Sequence, residues 1–163
     1  MEERGTMDRE IKFRGKRVDN GGWVYGDLVH GCEPQFAYIA ERGNKEMCRN
    51  YVPIDPATVG QFTGLKDKNG AEIYEGDIIQ LIDDTDSLIK VVCEFGTARR
   101  EIYGNTVDIL GFYFKRLADG KKTFPIVNNY AGKHDLELFE VVGNGWDNPE
   151  LLDQSKEARG NDD

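Results

Sequence analysis

Glycine and its turn-forming companions interrupt this chain so often that a turn-rich, strand-rich fold is expected rather than a helical bundle. Of 163 residues, 19 are Gly, well above the usual share of about 7%. The breaks fall between short apolar runs: Asp19-Asn20-Gly21-Gly22, Asn69-Gly70, Glu75-Gly76-Asp77 and Ala118-Asp119-Gly120. Residues that accept positive φ suit tight turns between antiparallel strands. The runs themselves read as strands. Ile11-Lys12-Phe13-Arg14 alternates apolar and basic, and Trp23–Val29 follows it as the second arm of a hairpin. Leu88–Phe95 is the clearest strand, being β-branched, bounded by turn residues and of ordinary strand length.

Further strands are expected at Phe36–Ile39, Tyr51–Ile54, Val59–Leu65, Ile78–Ile82, Gly111–Leu117 and Leu136–Val142. Pro53 places its run at an edge, because proline has no N–H for a ladder. Asp55-Pro56-Ala57-Thr58 reads as a single helical turn, with Asp55 as cap and Pro56 at the first position. Residues 96–111 carry no clear period. Near the end, Asn148 is placed to accept from an orphan backbone N–H, Pro149 sits where a missing donor is harmless, and Glu150 suits the helix N-terminus. The predicted fold class is therefore mainly β with minor α, a sandwich or small barrel. A soft boundary near residues 50–57 suggests an N-terminal β-hairpin region over 1–50 and a core over 51–163, or a single domain over 9–152.

Composition narrows function by exclusion. The charged residues are 21 Lys+Arg and 30 Asp+Glu, a net charge of −9, which disfavours phosphate backbones as partners. The charge is uneven. Residues 1–17 hold six bases against four acids, whereas residues 147–163 hold six acids against two bases. Arg14, Lys16 and Arg17, beside the aromatics Trp23, Tyr25, Phe36, Tyr38, Tyr103, Phe112, Tyr113 and Phe114, form the one candidate nucleic-acid contact; the alternatives are a solvated strand face and aromatics that build the core. No apolar run approaches the roughly 18–20 residues of a membrane helix. The N-terminal residues lack the apolar stretch of a secretory signal, so a cytoplasmic protein is expected.

Candidate chemistry is sparse. The sequence contains no Walker, dinucleotide, serine-hydrolase or zincin motif. Cys32, Cys48 and Cys93 form no Cys-x-x-Cys pair, and His30 and His134 lie far apart in sequence, so a four-ligand zinc site is not expected. His134-Asp135 places an acid beside a histidine, but neighbours on a strand face opposite ways. Ser87 and Ser155 sit in an acidic turn and a polar tail. Asp83, Asp84 and Asp86 carry part of a calcium-loop pattern without its Gly and terminal Glu. Glu75 and Asp77 could be read as a carboxylate pair; the structural reading is that Gly76 takes positive φ and Asp77 bonds its own turn. Catalytic, cofactor and metal residues are accordingly expected to be absent. The residues given structural roles are Asn69, Gly70, Gly76, Asp77, Asn148 and Pro149.

Three ordered segments resemble the YopX family of phage and prophage proteins. They are Ile11–Lys16 with Trp23–Leu28, Phe62–Gly70 with Ile73–Ile79, and Val141–Asn144 with Asn148–Leu152. One departure is Gly145-Trp146-Asp147, where members often carry a hydrophobic residue followed by Tyr or His. The resemblance implies a β-rich chain with a segment around Glu75-Gly76-Asp77 similar to a small SH3-like barrel, and it brings no catalytic residues. A non-enzymatic phage or prophage accessory protein is expected, acting in the bacterial cytoplasm on a host or phage protein or by self-association as a homo-oligomer. The alternative is a nucleic-acid-associated module.

Overall fold

The computed structural model describes residues 10–33, 35–41, 50–82, 87–123 and 138–153. Ten strands and one short 3₁₀ turn make up the described elements. They are β1 (Phe13–Arg17), β2 (Trp23–His30), β3 (Ala37–Glu41), β4 (Asn50–Lys66), β5 (Glu72–Tyr74), β6 (Asp77–Ile82), β7 (Leu88–Ile102), β8 (Asn105–Arg116), β9 (Lys122–Thr123), β10 (Glu140–Asn144) and the 3₁₀ turn Pro149–Leu152. No helix among the described residues is long and apolar enough to cross a membrane. The protein is mainly β. Its chain divides into two compact units, Met1–Gly64 and Leu65–Asp163.

In the first unit, β1 pairs antiparallel with β2, β2 with β3, β3 with β4, and β4 again with β1. The four strands thus form a closed circuit of pairings. Alternation along β2, β3 and β4 turns Val24, Ala37, Ile39, Val52 and Ile54 inward, where Phe13, Leu28 and Val59 pack against them. The expected helical turn at Asp55–Thr58 is instead part of β4. Here Arg14 faces Gly60 while Lys16 faces Asp55, so β4 bulges opposite Gly15. The local signals persist inside the bulge: Asp55 Oδ1 accepts from Ala57 N (3.0 Å), and Thr58 Oγ1 donates to Asp55 O (2.7 Å). Thr58 Oγ1 also accepts from Lys16 N at 2.8 Å. Sheet pairing has converted a cap into a bulge.

In the second unit, the sheet order is β10-β6-β7-β8-β9 with antiparallel pairings throughout. The resemblance implied a small SH3-like barrel here; the pairings among the described residues give a sheet with two edge strands, β10 and β9. Ile73, Ile79, Val91, Cys93, Phe114 and Phe139 form the core, with Phe114 and Phe139 edge-to-face at 5.1 Å between centroids. Residues 96–111, aperiodic in sequence, complete the longest hairpin among the described residues. Its tip, Tyr103-Gly104, joins the Ile102–Asn105 pair with φ of 51° and 78°. Positive φ at both central residues is the type I′ arrangement that matches strand twist.

Candidate functional site

The basic residues nominated from sequence lie on β1. Arg14 is only 6% exposed, and its guanidinium carbon stands 4.5 Å from the Trp23 ring centre. Lys16 Nζ approaches the same ring at 5.6 Å. Arg17 makes a two-pronged bond to Asp19, Nε to Oδ1 at 2.9 Å and Nη2 to Oδ2 at 2.8 Å. That pairing lifts the Arg17 pKa and lowers that of Asp19. β1 therefore brings Arg14 and Lys16 together on one face around Trp23, while Arg17 is engaged by its own turn. Beside them an open groove of about 750 Å³ is bordered by Lys16, Val18, Phe36, Tyr38, Pro53 and Asp55.

The nominated turn residues sit in the second unit, around a carboxylate that sequence reading passed over. Asp67 is 7% exposed. Its Oδ1 accepts from Asn69 N (2.8 Å) and Ala71 N (2.9 Å), and its Oδ2 from Val141 N (3.0 Å). Asp67 thereby both shapes the Asn69-Gly70 turn, where Gly70 takes φ 81°, and fastens β10. Lys68 adds N to Phe139 O at 2.9 Å and Nζ to Glu140 Oε2 at 2.6 Å. Burial opposes ionisation of Asp67, but the three amides, helped by Lys68, outweigh it and hold the carboxyl below the usual range. The signal available in sequence was an Asp two residues before Asn-Gly, the spacing of an Asx turn.

Asp77 is 1% exposed, and its Oδ2 accepts from Tyr74 N at 2.7 Å. Gly76, with φ 84°, donates to Cys93 O (2.8 Å) and accepts from Gly145 N (3.0 Å). Asn148 does not cap Pro149–Leu152 through its side chain, as sequence reading expected. Its Oδ1 instead turns back to accept from Asn144 N at 3.4 Å, while its backbone O takes Leu151 N at 3.0 Å. Pro149 does occupy the start of the turn.

A third feature emerges from the β7–β8 hairpin. Among the described residues, β6 follows β7 only as far as the Ile78–Val92 pair, and β9 meets β8 only at Phe114 and Lys115. Beyond these points the two strands pair with each other alone, out to Ile102–Asn105. Alternation carries one side of the sheet from core to solvent. Val91, Cys93 and Phe114 are buried, whereas farther out Phe95 is 48% and Leu110 69% exposed. Phe95 and Phe112 pack edge-on at 5.0 Å. Arg99 and Asp108 face each other across the same side, with Nε to Oδ1 at 2.9 Å. On the opposite side at the ribbon's root, Glu94 accepts from Tyr113 OH and Lys115 Nζ, each at 2.8 Å. At the tip Tyr103 is fully exposed.

The model of the family described as YopX protein matches residues 12–153. This chain belongs to the YopX family. A crystal structure of protein EF1440 from Enterococcus faecalis is similar, at 19% identity over 88% of this chain and 99% of that one, with a TM-score of 0.42. No curated protein matches.

The bend Gly145-Trp146-Asp147 of this YopX chain has a defined role. Asn144 Oδ1 accepts from Trp146 N (3.0 Å) and Asp147 N (2.9 Å), and the bend lays the Trp146 ring where a side chain at residue 76 would stand. Cys93 is fully buried in the core and Cys32 is exposed. No three His, Cys, Asp or Glu among the described residues come together to hold a metal. Cys48, the Asp83, Asp84 and Asp86 cluster, His134-Asp135 and Ser155 lie outside the described residues.

Proposed function

We propose that this YopX-family protein is a phage or prophage accessory protein that works in the host cytoplasm by binding a protein, without catalysing a reaction, and that the β7–β8 ribbon is its contact surface. One observation carries this reading: the core-facing side of the sheet continues past its neighbours and leaves Phe95 and Leu110 in solvent. Apolar and aromatic surface on a projecting element is what protein interfaces use at their centres. The carboxylates once open to a catalytic reading favour a structural one, since Asp77 is buried on the amide of Tyr74. The nucleic-acid alternative draws less support, because Arg14 is buried and Arg17 is paired with Asp19.

Photo-cross-linking from Phe95 or Leu110 in infected cells, read by mass spectrometry, tests the proposal. A protein cross-linked at these positions, and lost from an affinity capture when Leu110 becomes Asp, is expected. Capture that is indifferent to the ribbon refutes it. Binding of DNA or RNA that weakens with salt and with Lys16→Ala would favour the alternative instead.

A further inference from the structure

We infer that Tyr103, at the tip of the β7–β8 ribbon, anchors this chain to its partner, its phenol ring entering an apolar pocket on the partner protein; this rests on the reading of the ribbon as a contact surface. Tyr103 holds φ at 51°, and every other positive φ among the described residues belongs to a glycine. In that conformation a Cβ crowds the following carbonyl oxygen, and for a bulky side chain the state is rare and costly. The turn asks for a different residue, because a two-residue type I′ loop favours Asn, Asp or Gly at its first position and Gly at its second. Gly104 obeys that preference at φ 78°. Tyr103 breaks it.

Nothing among the described residues offsets that cost. Tyr103 is 100% exposed, so its ring gains no packing within the chain. Asn105 Nδ2 donates to Tyr103 O at 3.4 Å, a bond to the backbone that a change of side chain at 103 would leave in place. Backbone strain kept without internal compensation marks a functional position. The surroundings suit an anchor. The Ile102–Asn105 pair closes the loop immediately behind Tyr103, so the ring is offered from a tight turn and little backbone freedom remains to be lost on binding. Tyrosine brings a large contact area with only two side-chain torsions to order. Glu101, Asn105 and Thr106, all exposed, supply the polar rim that surrounds aromatic anchors at protein interfaces. The net charge of −9 opposes phosphate backbones, which selects a protein over a nucleic acid stacked on the ring.

The test compares the full chain with its Tyr103→Asn and Tyr103→Phe variants in two measurements that should move in opposite directions. Asparagine accepts positive φ, so Tyr103→Asn is expected to slow amide exchange along the ribbon by about threefold or more. Tyr103→Phe keeps the strain and should exchange as the wild type does. Binding is then titrated against the purified protein that cross-links at Leu110. Tyr103→Asn should weaken it by about tenfold or more. Tyr103→Phe, which keeps the ring, should lose less, about threefold to tenfold where the hydroxyl is bonded. Exchange that is unchanged or faster in Tyr103→Asn overturns the inference, because the ring would then serve its own hairpin. Affinity of Tyr103→Asn within about twofold of wild type, or equal losses in both variants, overturns the ring as anchor. So does an oligonucleotide whose binding requires Tyr103. If Leu110→Asp abolishes binding while Tyr103→Asn does not, only the anchor falls. If neither substitution matters, or no protein cross-links from the ribbon, the proposed function falls with it.

Discussion

Replacing Asp67 removes one carboxylate and unties two elements at once. Asp67→Ala deletes the acceptors of Asn69 N, Ala71 N and Val141 N. Asn69 and Ala71 are exposed, so water can take over there at modest cost. The Val141 amide is half-buried within the β10–β6 pairing, and a buried donor left unmade costs about 1–3 kcal/mol. Adding the loss of charge-assisted bonding in the turn, Asp67→Ala should destabilise by about 2–4 kcal/mol. Asp67→Asn keeps one carbonyl oxygen for the turn but sets an NH₂ against Val141 N–H, so about 1–2 kcal/mol is expected. Urea titration measures both, and amide exchange at Val141 locates the damage. The pH dependence has a definite sign. The folded-state pKa of Asp67 lies below its unfolded value, so its stabilisation is complete above that unfolded value, near 3.9, and is lost as pH falls through the folded value. Asp67→Asn should flatten this part of the acid limb, leaving the share of Glu94, which is lowered too: burial opposes ionisation there, but Lys115 and Tyr113 outweigh it. An Asp67→Ala chain within about 0.5 kcal/mol of wild type, with Val141 exchange unchanged, refutes the reasoning.

Gly76→Ala should cost about 2–4 kcal/mol, combining positive-φ strain with displacement of Trp146, whereas Gly70→Ala, at a similar φ in open space, should cost about 1 kcal/mol; only the former should alter the near-ultraviolet tryptophan bands. Native-state alkylation followed by mass spectrometry should label Cys32 and spare Cys93, and rapid labelling of Cys93 in folded protein would contradict its place in the core. Asp108→Asn breaks an exposed pair with Arg99, and its thermal midpoint should match wild type at physiological salt.

Much of the fold was legible because its signals are local. The Asp19–Gly22 and Asn69-Gly70 turns, and the runs at Trp23–Val29 and Ile78–Ile82, combine turn chemistry with strand-forming residues, and β pairing agrees with both. Where the reading failed, non-local pairing decided. Asp55-Pro56 has real capping chemistry, yet β1 pairs with Asp55 and β3 with the residues up to Ile54, so the segment stays in β4 and the cap survives as a bulge. The outer hairpin escaped because its turn is Tyr103-Gly104: tyrosine seldom takes positive φ, so no Asn-Gly or Asp-Gly marker advertised it. Asn148 was misassigned for the same kind of reason, since its side chain found Asn144 across a tight bend before it could serve the 3₁₀ turn. Asp67 was overlooked because its importance depends on Val141, seventy-four positions away.

Within the second unit, anchoring and exposure fall at different parts of one sheet. β10 is fastened by Asp67, by the Lys68–Glu140 ion pair and by the Gly145–Gly76 bond, and a Cβ at Gly76 would run into the Trp146 ring. The outer β7–β8 ribbon is joined by its own ladder, by the exposed Arg99–Asp108 pair and by packing of Ala98 and Ile109 with Tyr113. Among the described residues no further strand covers this two-stranded ribbon, and such a ribbon is marginal in water, so its opening free energy should lie well below that of the sheet that carries it. A contact that adds strands or covers Leu110 would stabilise this weakest element most. Ribbon substitutions should then change association while leaving global unfolding nearly untouched, whereas substitutions at Asp67 or Gly76 should do the reverse. That separation makes binding and folding independently measurable in this protein.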